Sequence, residues 1–369
     1  MESNIMLIRK LEMEQSLEMD EFARLIGTFD REDLEYAGER ARTVRKMHYG
    51  NKVYIRGLVE LTSYCRCGCH YCGIGSAVKS AERYRLDADQ VLSCCENGYQ
   101  LGFRTFVIQG GEDPHYSDGM LTDMIRRIKD SHPDCAVTLS LGERSRESYE
   151  KLFEAGADRY LLRHETADEE HYSRLHPAVQ TLKERKRCLC DLKDIGFQVG
   201  TGFMVGSPWQ TAECLAKDML FMKSLDPEMV GIGPFIPHHE TLLGNEKPGN
   251  VDLTLFMLAL TRLMLPKALI PATTALGTLD QNGREKGMLH GANVVMPNLS
   301  PMDVRKKYLL YDNKAFTGSE AAESLSSLRK SMNETGFRVV VDRGDHIGTS
   351  VKRTAVSHEE TRKGEMQHV

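Results

Sequence analysis

The sequence lacks two features that would direct it to a nucleic acid or a membrane. It has no basic surplus, since 48 lysines and arginines stand against 53 aspartates and glutamates and the net charge is −5. Surfaces that bind nucleic acids or anionic lipids normally carry such a surplus. The first residues, MESNIMLIRKLEMEQ, include acidic side chains and no sustained apolar stretch, unlike a signal peptide or a membrane anchor. We therefore expect a cytoplasmic protein with neither kind of partner.

Cysteine is absent after Cys214, and its distribution before that residue is uneven. Four of the ten cysteines lie within eight residues, at Cys65, Cys67, Cys69 and Cys72. Without a secretory signal, ten cysteines in a chain of 369 residues argue against a disulfide scaffold and for reduced thiols that pack or bind metal. The composition, 41% hydrophobic and 27% charged, is that of an ordinary globular protein.

The chain alternates short apolar runs with amphipathic segments. Residues 1–50 have helical periodicity, and Asp30 is placed to cap an amphipathic helix. Asp87 is placed likewise before a later helix. Eight apolar runs follow from Val53: VYIRGLVEL, RTFVIQG, AVTLSLG, DRYLLRHE, FQVGTGFMVG, MVGIGPF, LIPATTALG and ANVVMP. Regular alternation implies parallel strands, so we expect an α/β fold, a (β/α)₈ TIM-type barrel. The predicted organisation is a helical extension over 1–50, the barrel over 51–341 and a charged, mobile tail over 342–369.

Polar or unusual residues end most of the apolar runs. In a (β/α)₈ barrel the active site forms at the carboxyl ends of the strands, so these residues should face one cavity. They are Gly110 to Pro114, Gly142 with Glu143, Arg163 to Thr166, Pro234 to Glu240, Thr273 with Thr274, and Met296 to Asn298.

The segment CRCGCHYC follows the first run and has cysteine spacing suited to an iron–sulfur cluster. Cys65, Cys69 and Cys72 can ligate three irons of a [4Fe–4S] cluster and leave the fourth iron open for a small molecule. A zinc site is an alternative, although zinc ligands usually come as two pairs with a longer spacer. Cys67 is either a bystander or a ligand in a shifted register.

The C-x₃-C-x-Φ-C spacing, with Tyr71 as the aromatic residue, resembles the signature of the radical S-adenosylmethionine (SAM) superfamily. The resemblance implies that SAM binds the open iron and is cleaved by one electron to methionine and a 5′-deoxyadenosyl radical. Longer segments resemble the HydE-type [FeFe]-hydrogenase maturases over most of residues 40–312: GEDPHY, VTLSLGE, EAGADRYLLRHETA, MVGIGPFIPHHETLLGNE, LIPATTALGT and GANVVMPN.

The HydE-type resemblance implies an activity, cofactors and partners. The expected substrate is of the cysteine-bound iron carbonyl cyanide type, attacked at sulfur, and the expected partners are a reductant protein and other maturases. Some family members carry three further cysteines near the C-terminus that hold a second cluster. The corresponding stretch here, from Asp312 to Asp342, contains none. We therefore expect one [4Fe–4S] cluster and SAM as the only cofactors.

The same resemblance implies the residues that contact SAM. Gly110, Gly111 and Glu112 would approach its amino group, Glu165 its ribose and Arg185 its carboxylate, with Arg187 as the alternative to Arg185. Met204 would border the adenine, or else simply pack in the core. The expected cofactor-binding set is Tyr71, Gly110, Gly111, Glu112, Ser140, Glu165, Arg185 and Met204.

Deeper in the barrel the resemblance places the substrate. Arg163, Thr273, Thr274 and Tyr308 are the expected catalytic residues, and Arg56, Thr138 and Met296 the expected substrate-binding residues. A buried arginine without an anionic partner is costly. Arg56 and Arg163 therefore bind substrate or form structural ion pairs with Glu60 or Glu143.

Three histidines are not assigned to a metal site, and two other functions remain as alternatives. We interpret His164, His238 and His239 as ordinary hydrogen-bonded histidines, because none has a matched metal ligand at fixed helical spacing. A different radical SAM reaction, of the methylornithine synthase or biotin synthase type, is one rival, since fold does not fix reaction. The other is a non-enzymatic iron–sulfur carrier, which would need the cysteines but not Glu112, Glu165 or Arg185.

Overall fold

Three helices precede the barrel in the computed structural model, which describes residues 3–315 and 322–348. They are α1 (Asn4–Glu14), α2 (Met19–Thr28) and α3 (Arg31–Tyr49). The Asp30 carboxylate accepts hydrogen bonds from the backbone N–H groups of Glu32 and Asp33, which confirms it as the cap of α3. No helix in the described ranges combines the length and apolar character that crossing a bilayer requires.

The remaining elements alternate strand and helix. The strands are β1 (Lys52–Ile55), β2 (Gly57–Thr62), β3 (Thr105–Gly110), β4 (Ala136–Ser140), β5 (Arg159–Leu161), β6 (Gln198–Thr201), β7 (Met204–Val205), β8 (Met229–Val230), β9 (Gly233–Pro234), β10 (Val294–Val295) and β11 (Arg338–Val340). The helices are α4 (Ala88–Leu101), α5 (Asp118–Ser131), α6 (Arg146–Glu154), α7 (Glu169–Leu175), α8 (Leu182–Ile195), α9 (Ala212–Leu225), α10 (Val251–Met264), α11 (Thr274–Leu279), α12 (Gly283–Leu289), α13 (Met302–Arg305) and α14 (Leu325–Glu334). The Asp87 carboxylate caps α4, as the sequence predicts.

The strands close into a parallel barrel. Six of them pair in the order β2-β3-β4-β5-β6-β8, and β10 pairs with β1, which continues into β2 after Arg56. Single bridges from Met229 to Leu269 and from Pro271 to Val294 join β8 to β10. The predicted (β/α)₈ architecture is therefore confirmed. The N-terminal helices cover its outside, with α2 packed on α9 and α3 on α10.

The seventh apolar run and the last strand differ from the prediction. Only Leu269 to Pro271 of LIPATTALG bridges its neighbours, because the Thr273 side chain accepts from the Leu276 N–H and starts α11 there. β11 was not among the predicted strands. It adds to β1 at Lys52 to Tyr54, outside the eight barrel positions.

The amino-terminal end of the barrel is closed by residues 343–346, a segment that we name the floor segment. The Arg343 carbonyl accepts from Thr105 Oγ1 at 2.7 Å and from Arg159 Nη2 at 2.9 Å. Asp345 pairs with Arg159 at 2.6 Å, and the His346 N–H donates to Gln198. The predicted mobile tail begins at Asp342. Its first residues, to Gly348, thus lie against the barrel, and residues 349–369 lie outside the described residues.

Candidate active site

A cavity of about 380 Å³ opens at the carboxyl ends of the barrel strands. Most of the residues predicted for the site line it together. These are Cys65, Cys69, Cys72, Tyr71, Gly110, Gly111, Glu112, Ser140, Arg163, Glu165, Arg185, Met204, Thr273, Thr274, Met296 and Tyr308. The strand ends therefore converge on one site, as the barrel rule predicts.

The cysteine loop follows β2 and is folded by a residue that the sequence analysis missed. Arg83 donates to the carbonyls of Ile74, Gly75 and Val78 at 2.6, 2.9 and 2.8 Å. It also donates to the Ser63 carbonyl. One guanidinium thus holds several turns of the loop, and its fork of donors suits that task. No local sequence pattern marks such a clamp, because its acceptors are backbone carbonyls.

The thiols of this loop suit a cluster better than a single metal ion. Among the described residues, no three cysteine sulfurs lie within 4.8 Å of one another. Around one tetrahedral zinc, sulfurs at about 2.3 Å from the metal would lie closer together than that. The wider spacing therefore fits a four-iron cluster and disfavours the zinc alternative. Cys67 also borders the cavity and hydrogen-bonds to the Cys65 thiol, which lowers the pKa of Cys65 to about 7.

Burial raises the pKa values of Cys69 and Cys72, in contrast to the lowered pKa of Cys65. It raises the pKa of Cys72 to about 12, and it raises the pKa of Cys69 as well. Cys69 donates to Gln180 Oε1 at 3.7 Å, and the Glu112 N–H donates to Cys65 Sγ at 3.3 Å. Buried thiols become thiolates when a cation replaces their protons, so this loop fits an iron-bearing group.

The wall beside the cysteine loop is built on two close glycine approaches. A Cβ at Gly111 would lie 2.3 Å from the Tyr64 carbonyl oxygen, and one at Gly142 would lie 2.0 Å from Glu112 Cγ. Gly142 also has a φ of +76°, which side chains with a Cβ rarely adopt. Glu112 Oε1 accepts from the Glu143 N–H at 2.8 Å. Glu112 Oε2 accepts from Arg66 Nε at 3.2 Å, so both oxygens of the carboxylate are held at the edge of the cavity.

Glu165 stands in a strained conformation at the centre of the site. Its φ is +64°, which is uncommon for a residue other than glycine and is a frequent mark of functional positions. Its Oε2 lies 3.2 Å from Arg163 Nη2, yet neither atom makes a hydrogen bond, and both are buried. The two charges thus pair with each other but lack the hydrogen bonds that buried polar atoms usually make.

Arg185 and not Arg187 reaches this site. Arg185 Nε donates to Glu143 Oε1 at 2.6 Å, and its Nη1 donates to the Arg163 carbonyl at 2.5 Å. Arg187 lies on the outer face of α8, where it pairs with Glu184 and Asp191. The alternative assignment to Arg187 has no support in this geometry.

The ion pairs with Glu60 or Glu143, which were the alternative to substrate binding for Arg56 and Arg163, do not form. Glu143 pairs with Arg185, while Glu60 pairs with Lys314 at 2.5 Å. Arg163 instead faces Glu165, and Arg56 Nη1 contacts Met229 Sδ at 2.9 Å. The separations in the chain explain the error, since residues 42 and 254 positions apart are brought together only by barrel closure.

Arg56 and Thr138 do not line the cavity, in contrast to the prediction for substrate contacts. Arg56 Nε and Nη2 and Thr138 Oγ1 are buried without hydrogen-bond partners. Burial lowers the pKa of Arg56, and Arg159 near the floor segment adds to that effect. Both residues therefore lie inside the barrel below the cavity.

Three polar residues that the sequence analysis did not assign to the site stand beside Tyr308. Lys314 donates to the Tyr308 carbonyl at 2.8 Å and lies 4.8 Å from the centre of its ring. Gln109 Nε2 donates to the Tyr308 hydroxyl at 3.4 Å. Glu60 holds Lys314 in turn. A glutamate inside the apolar run VYIRGLVEL was the one available signal, because a buried carboxylate requires a cationic partner.

Met204 and Tyr71 form an apolar side of the cavity. They pack with Leu175, Phe235 and Leu243 in a small cluster, so Met204 is both a core residue and a cavity residue. The Tyr71 hydroxyl lies 3.3 Å from His176 Nε2. Such a face suits a flat, weakly polar group such as a purine.

His164 has the ordinary environment that the sequence analysis predicts for it. Its Nδ1 lies 2.8 Å from Thr201 Oγ1, and its Nε2 lies 3.3 Å from Asp218. Both side chains of that pair are fully buried, and burial lowers the pKa of His164 and raises that of Asp218.

Comparison with known proteins agrees with this geometry. The family model of the radical SAM superfamily matches residues 59–222. HydE, the [FeFe] hydrogenase maturase subunit of Thermotoga maritima, is 45% identical over 308 residues, which cover 82% of this chain and 88% of HydE. The chain belongs to the HydE family of the radical SAM superfamily. It is therefore an enzyme, and its cofactors are a [4Fe–4S] cluster and SAM.

More distant relatives share the architecture. The 3-methylornithine synthase of Methanosarcina acetivorans is 29% identical over 75% of this chain and 78% of its own length. The crystal structure of methylornithine synthase PylB superposes with a TM-score of 0.80 at 25% identity, covering 90% of this chain and 97% of that one. The maturase HydG superposes with a TM-score of 0.78 at 18% identity, covering 92% and 76%, and so shares the fold.

Proposed function

We propose that this HydE-family enzyme acts in maturation of the [FeFe]-hydrogenase active-site cluster. The observation that carries the proposal is the 45% identity to Thermotoga maritima HydE over 88% of that protein. The cavity supports it, because it combines a thiol loop, polar groups open to ligand and a deeper polar end. A reductant protein would supply the electron, and other maturases would exchange the substrate or product.

In this proposal Cys65, Cys69 and Cys72 hold the cluster and leave one iron to SAM. When bound, the cluster and SAM would supply one electron and a 5′-deoxyadenosyl radical for chemistry at the sulfur of the substrate. Glu112 accepts from the SAM ammonium group, because its carboxylate is fixed by the Glu143 N–H. Gly110 and Gly111 keep that approach open.

The remaining SAM contacts lie along the opposite side of the cavity. Arg185 holds the carboxylate of SAM, and Glu165 accepts from its ribose hydroxyls. Ser140 and Tyr71 border the bound cofactor, and Met204 packs on its adenine. Enclosure of the site by these groups excludes water, which protects a reactive radical.

The substrate is an anionic iron carbonyl cyanide complex in which a cysteine molecule is bound to the iron. Arg163, with its Nε and Nη2 lacking hydrogen-bond partners, provides a cationic contact. Thr273, Thr274 and Met296 line the same part of the cavity, and Tyr308 orients the reacting sulfur. Orientation of that sulfur within near-attack distance would dominate the rate. Arg56 and Thr138 lie too deep for direct contact and are proposed only to support this end of the cavity.

Release of 5′-deoxyadenosine tests the radical SAM part of the proposal. Anaerobically reconstituted protein is given SAM and dithionite, and the nucleoside is quantified. We expect Cys69→Ala to lose the broad visible absorbance of the cluster and the nucleoside together, while the matched Cys67→Ala variant keeps both. A cluster that survives Cys69→Ala and disappears with Cys67→Ala would show the ligand register to be wrong.

Consumption of a synthetic cysteine-bound iron carbonyl cyanide complex tests the substrate. We expect the reconstituted enzyme to couple nucleoside formation to loss of this complex. Tyr308→Phe should slow that loss about tenfold or more while SAM binding stays unchanged, since the hydroxyl is placed at the substrate end. Nucleoside release with the complex left intact would contradict the proposed substrate.

An amino-acid mutase is the second candidate, favoured by the likeness to methylornithine synthase. The identity to that enzyme is 29%, against 45% to HydE. Lysine added to the same assay separates the two. An isomerised amino acid product would support the mutase.

A further inference from the structure

Two histidines and an aspartate meet beside the cavity mouth, outside the catalytic site. His238 and His239 follow β9, and Asp312 follows Tyr308 by four residues. One potential ligand atom from each of the three lies within 4.8 Å of the others, and no other such group of three exists among the described histidines, cysteines, aspartates and glutamates. The sequence interpretation as ordinary histidines did not foresee this, because Asp312 is 73 positions from His239.

The trio is held in place by contacts of its backbone. The His239 N–H donates to Asp312 Oδ2 at 2.9 Å, and the Asp312 N–H donates to the Pro237 carbonyl at 3.0 Å. His238 is buried against Gly73, where a Cβ would lie 2.2 Å from His238 Cδ2. The two imidazoles stack with ring centres 4.7 Å apart and planes 16° apart. The ligand groups therefore come together without a large movement of either loop.

The geometry points to a second metal site, formed by His238, His239 and Asp312, that takes a divalent transition-metal ion such as Zn²⁺. Two imidazoles and a carboxylate are ligands that zinc favours, at about 2.0–2.2 Å from the metal. His239 Nδ1 already lies 2.7 Å from Asp312 Oδ1, and an ion would enter between them. Glu240 is a second acidic group nearby, with Oε1 at 3.9 Å from His239 Nε2.

The ion would join two loops that border the cavity. One loop contributes Ile236 to the cavity lining, and the other contributes Leu310 and Tyr311. The second loop also meets the cysteine loop, since the Gly73 N–H donates to the Leu310 carbonyl at 2.9 Å. A metal bridge would therefore fasten the cavity mouth to the segment that follows Cys72, independently of which reaction the enzyme performs.

Equilibrium dialysis of the untagged, cluster-loaded enzyme against zinc tests this site. Bound zinc and iron are measured together by elemental analysis, so that zinc entering the cysteine loop is recognised by loss of iron. We expect one zinc per chain with iron unchanged. His239→Gln and Asp312→Asn should each weaken zinc binding at least about tenfold, because each removes one of three ligands. His48→Gln, a histidine on α3, is the matched control and should bind zinc as the parent does.

Hydrogen exchange of the segment around Asp312 gives a readout that does not depend on stoichiometry. Zinc should slow exchange there in the parent and in His48→Gln, and not in His239→Gln. If the parent takes up no zinc, the proposal is overturned, and the contact between His239 and Asp312 is only an ion pair. Zinc uptake that His239→Gln and Asp312→Asn leave unchanged, or that occurs only as iron is lost, would overturn it equally.

Discussion

Gly142 lies against the carboxylate side chain of Glu112, so close that no residue with a Cβ fits there. The added atom would lie 2.0 Å from Glu112 Cγ and 2.3 Å from Oε1. Glu112 is the group proposed to accept from the SAM ammonium, and the turn at Gly142 also presents the Glu143 N–H to it. Because Gly142 has no side chain, the Glu112 carboxylate can occupy this position.

Gly142→Ala should displace Glu112 and weaken SAM binding about tenfold or more, which corresponds to about 1.4 kcal/mol. Gly50→Ala is the matched control. Gly50 has a φ of +60°, but a Cβ there meets nothing within 4 Å. Both variants carry backbone strain, and only the first should change SAM affinity, measured by equilibrium dialysis on reconstituted protein. Equal SAM affinity in the two variants would contradict this role of Gly142.

Arg185→Lys should weaken SAM binding about tenfold or more, whereas Arg187→Lys should leave it unchanged. Arg185 reaches both Glu143 and the Arg163 carbonyl through separate nitrogens, which a lysine ammonium cannot reproduce. Arg187 forms exposed ion pairs, which contribute little, and it also contacts the Arg144 carbonyl and Cys188 Sγ. The two residues share one helix, so the comparison controls for general effects on α8. A loss of affinity confined to Arg187→Lys would reverse the assignment.

Glu165→Gly should lower SAM affinity about tenfold or more, because a ligand contact is lost. It should also lower the free energy of unfolding, because the loss of the anion beside Arg163 outweighs the relief of strain at φ +64°. Gln15→Gly provides the comparison, since Gln15 has a φ of +55° in an exposed turn after α1. Gln15→Gly relieves similar strain without breaking an ion pair, so it should raise the free energy of unfolding by up to about 1 kcal/mol with SAM affinity intact. The measurements are denaturant unfolding and SAM dialysis. SAM affinity that Glu165→Gly leaves unchanged would contradict the proposed contact.

Asp345→Asn should lower the free energy of unfolding at neutral pH by about 3 kcal/mol, because it leaves the buried Arg159 without its anion. Burial alone would raise the pKa of Asp345, but the charges of Arg159 and Arg343 outweigh it and hold that pKa well below its usual range. A depressed pKa contributes stability above the unfolded pKa of about 3.9 and loses it as pH falls further.

The difference between parent and Asp345→Asn should therefore be constant from neutral pH down to about 5 and shrink below about 4. Unfolding curves across this range provide the measurement. Glu35→Gln, which breaks the exposed Arg31–Glu35 pair, should change stability by less than about 0.5 kcal/mol. A difference for Asp345→Asn that grows toward acidic pH would contradict the assigned charge state.

The sequence was sufficient for the barrel and for most of the cavity lining. Strand ends are local features, and the barrel fold brings them together without further information, so Glu112, Glu165 and Thr273 could be placed from their positions in the runs. Which charged residues form ion pairs with each other could not be predicted in this way. Glu60 could have paired with any nearby cation, and its pairing with Lys314 depends on how the chain returns over the barrel after Tyr308. The Arg83 clamp was missed for a similar reason.

Two further differences have local causes. Thr273 and Thr274 continued an apolar run with β-branched residues and were interpreted as strand, yet the Thr273 hydroxyl caps a helix instead. The floor segment was assigned to a mobile tail because it is charged and has no apolar period. Its charges are in fact paired: Asp345 with Arg159, and Arg343 with Asp158 and Asp345.

The floor segment closes the amino-terminal end of the barrel and leaves the carboxyl-terminal end as the entrance to the cavity. Arg343 and Asp345 occupy the amino-terminal end of the barrel beside Arg159. Ligands therefore enter and leave the cavity at the carboxyl ends of the strands. In the proposed function, SAM and a substrate near Thr273 would therefore share this entrance. Arg343 and Asp345 line no part of the cavity, yet they would restrict both compounds to one route.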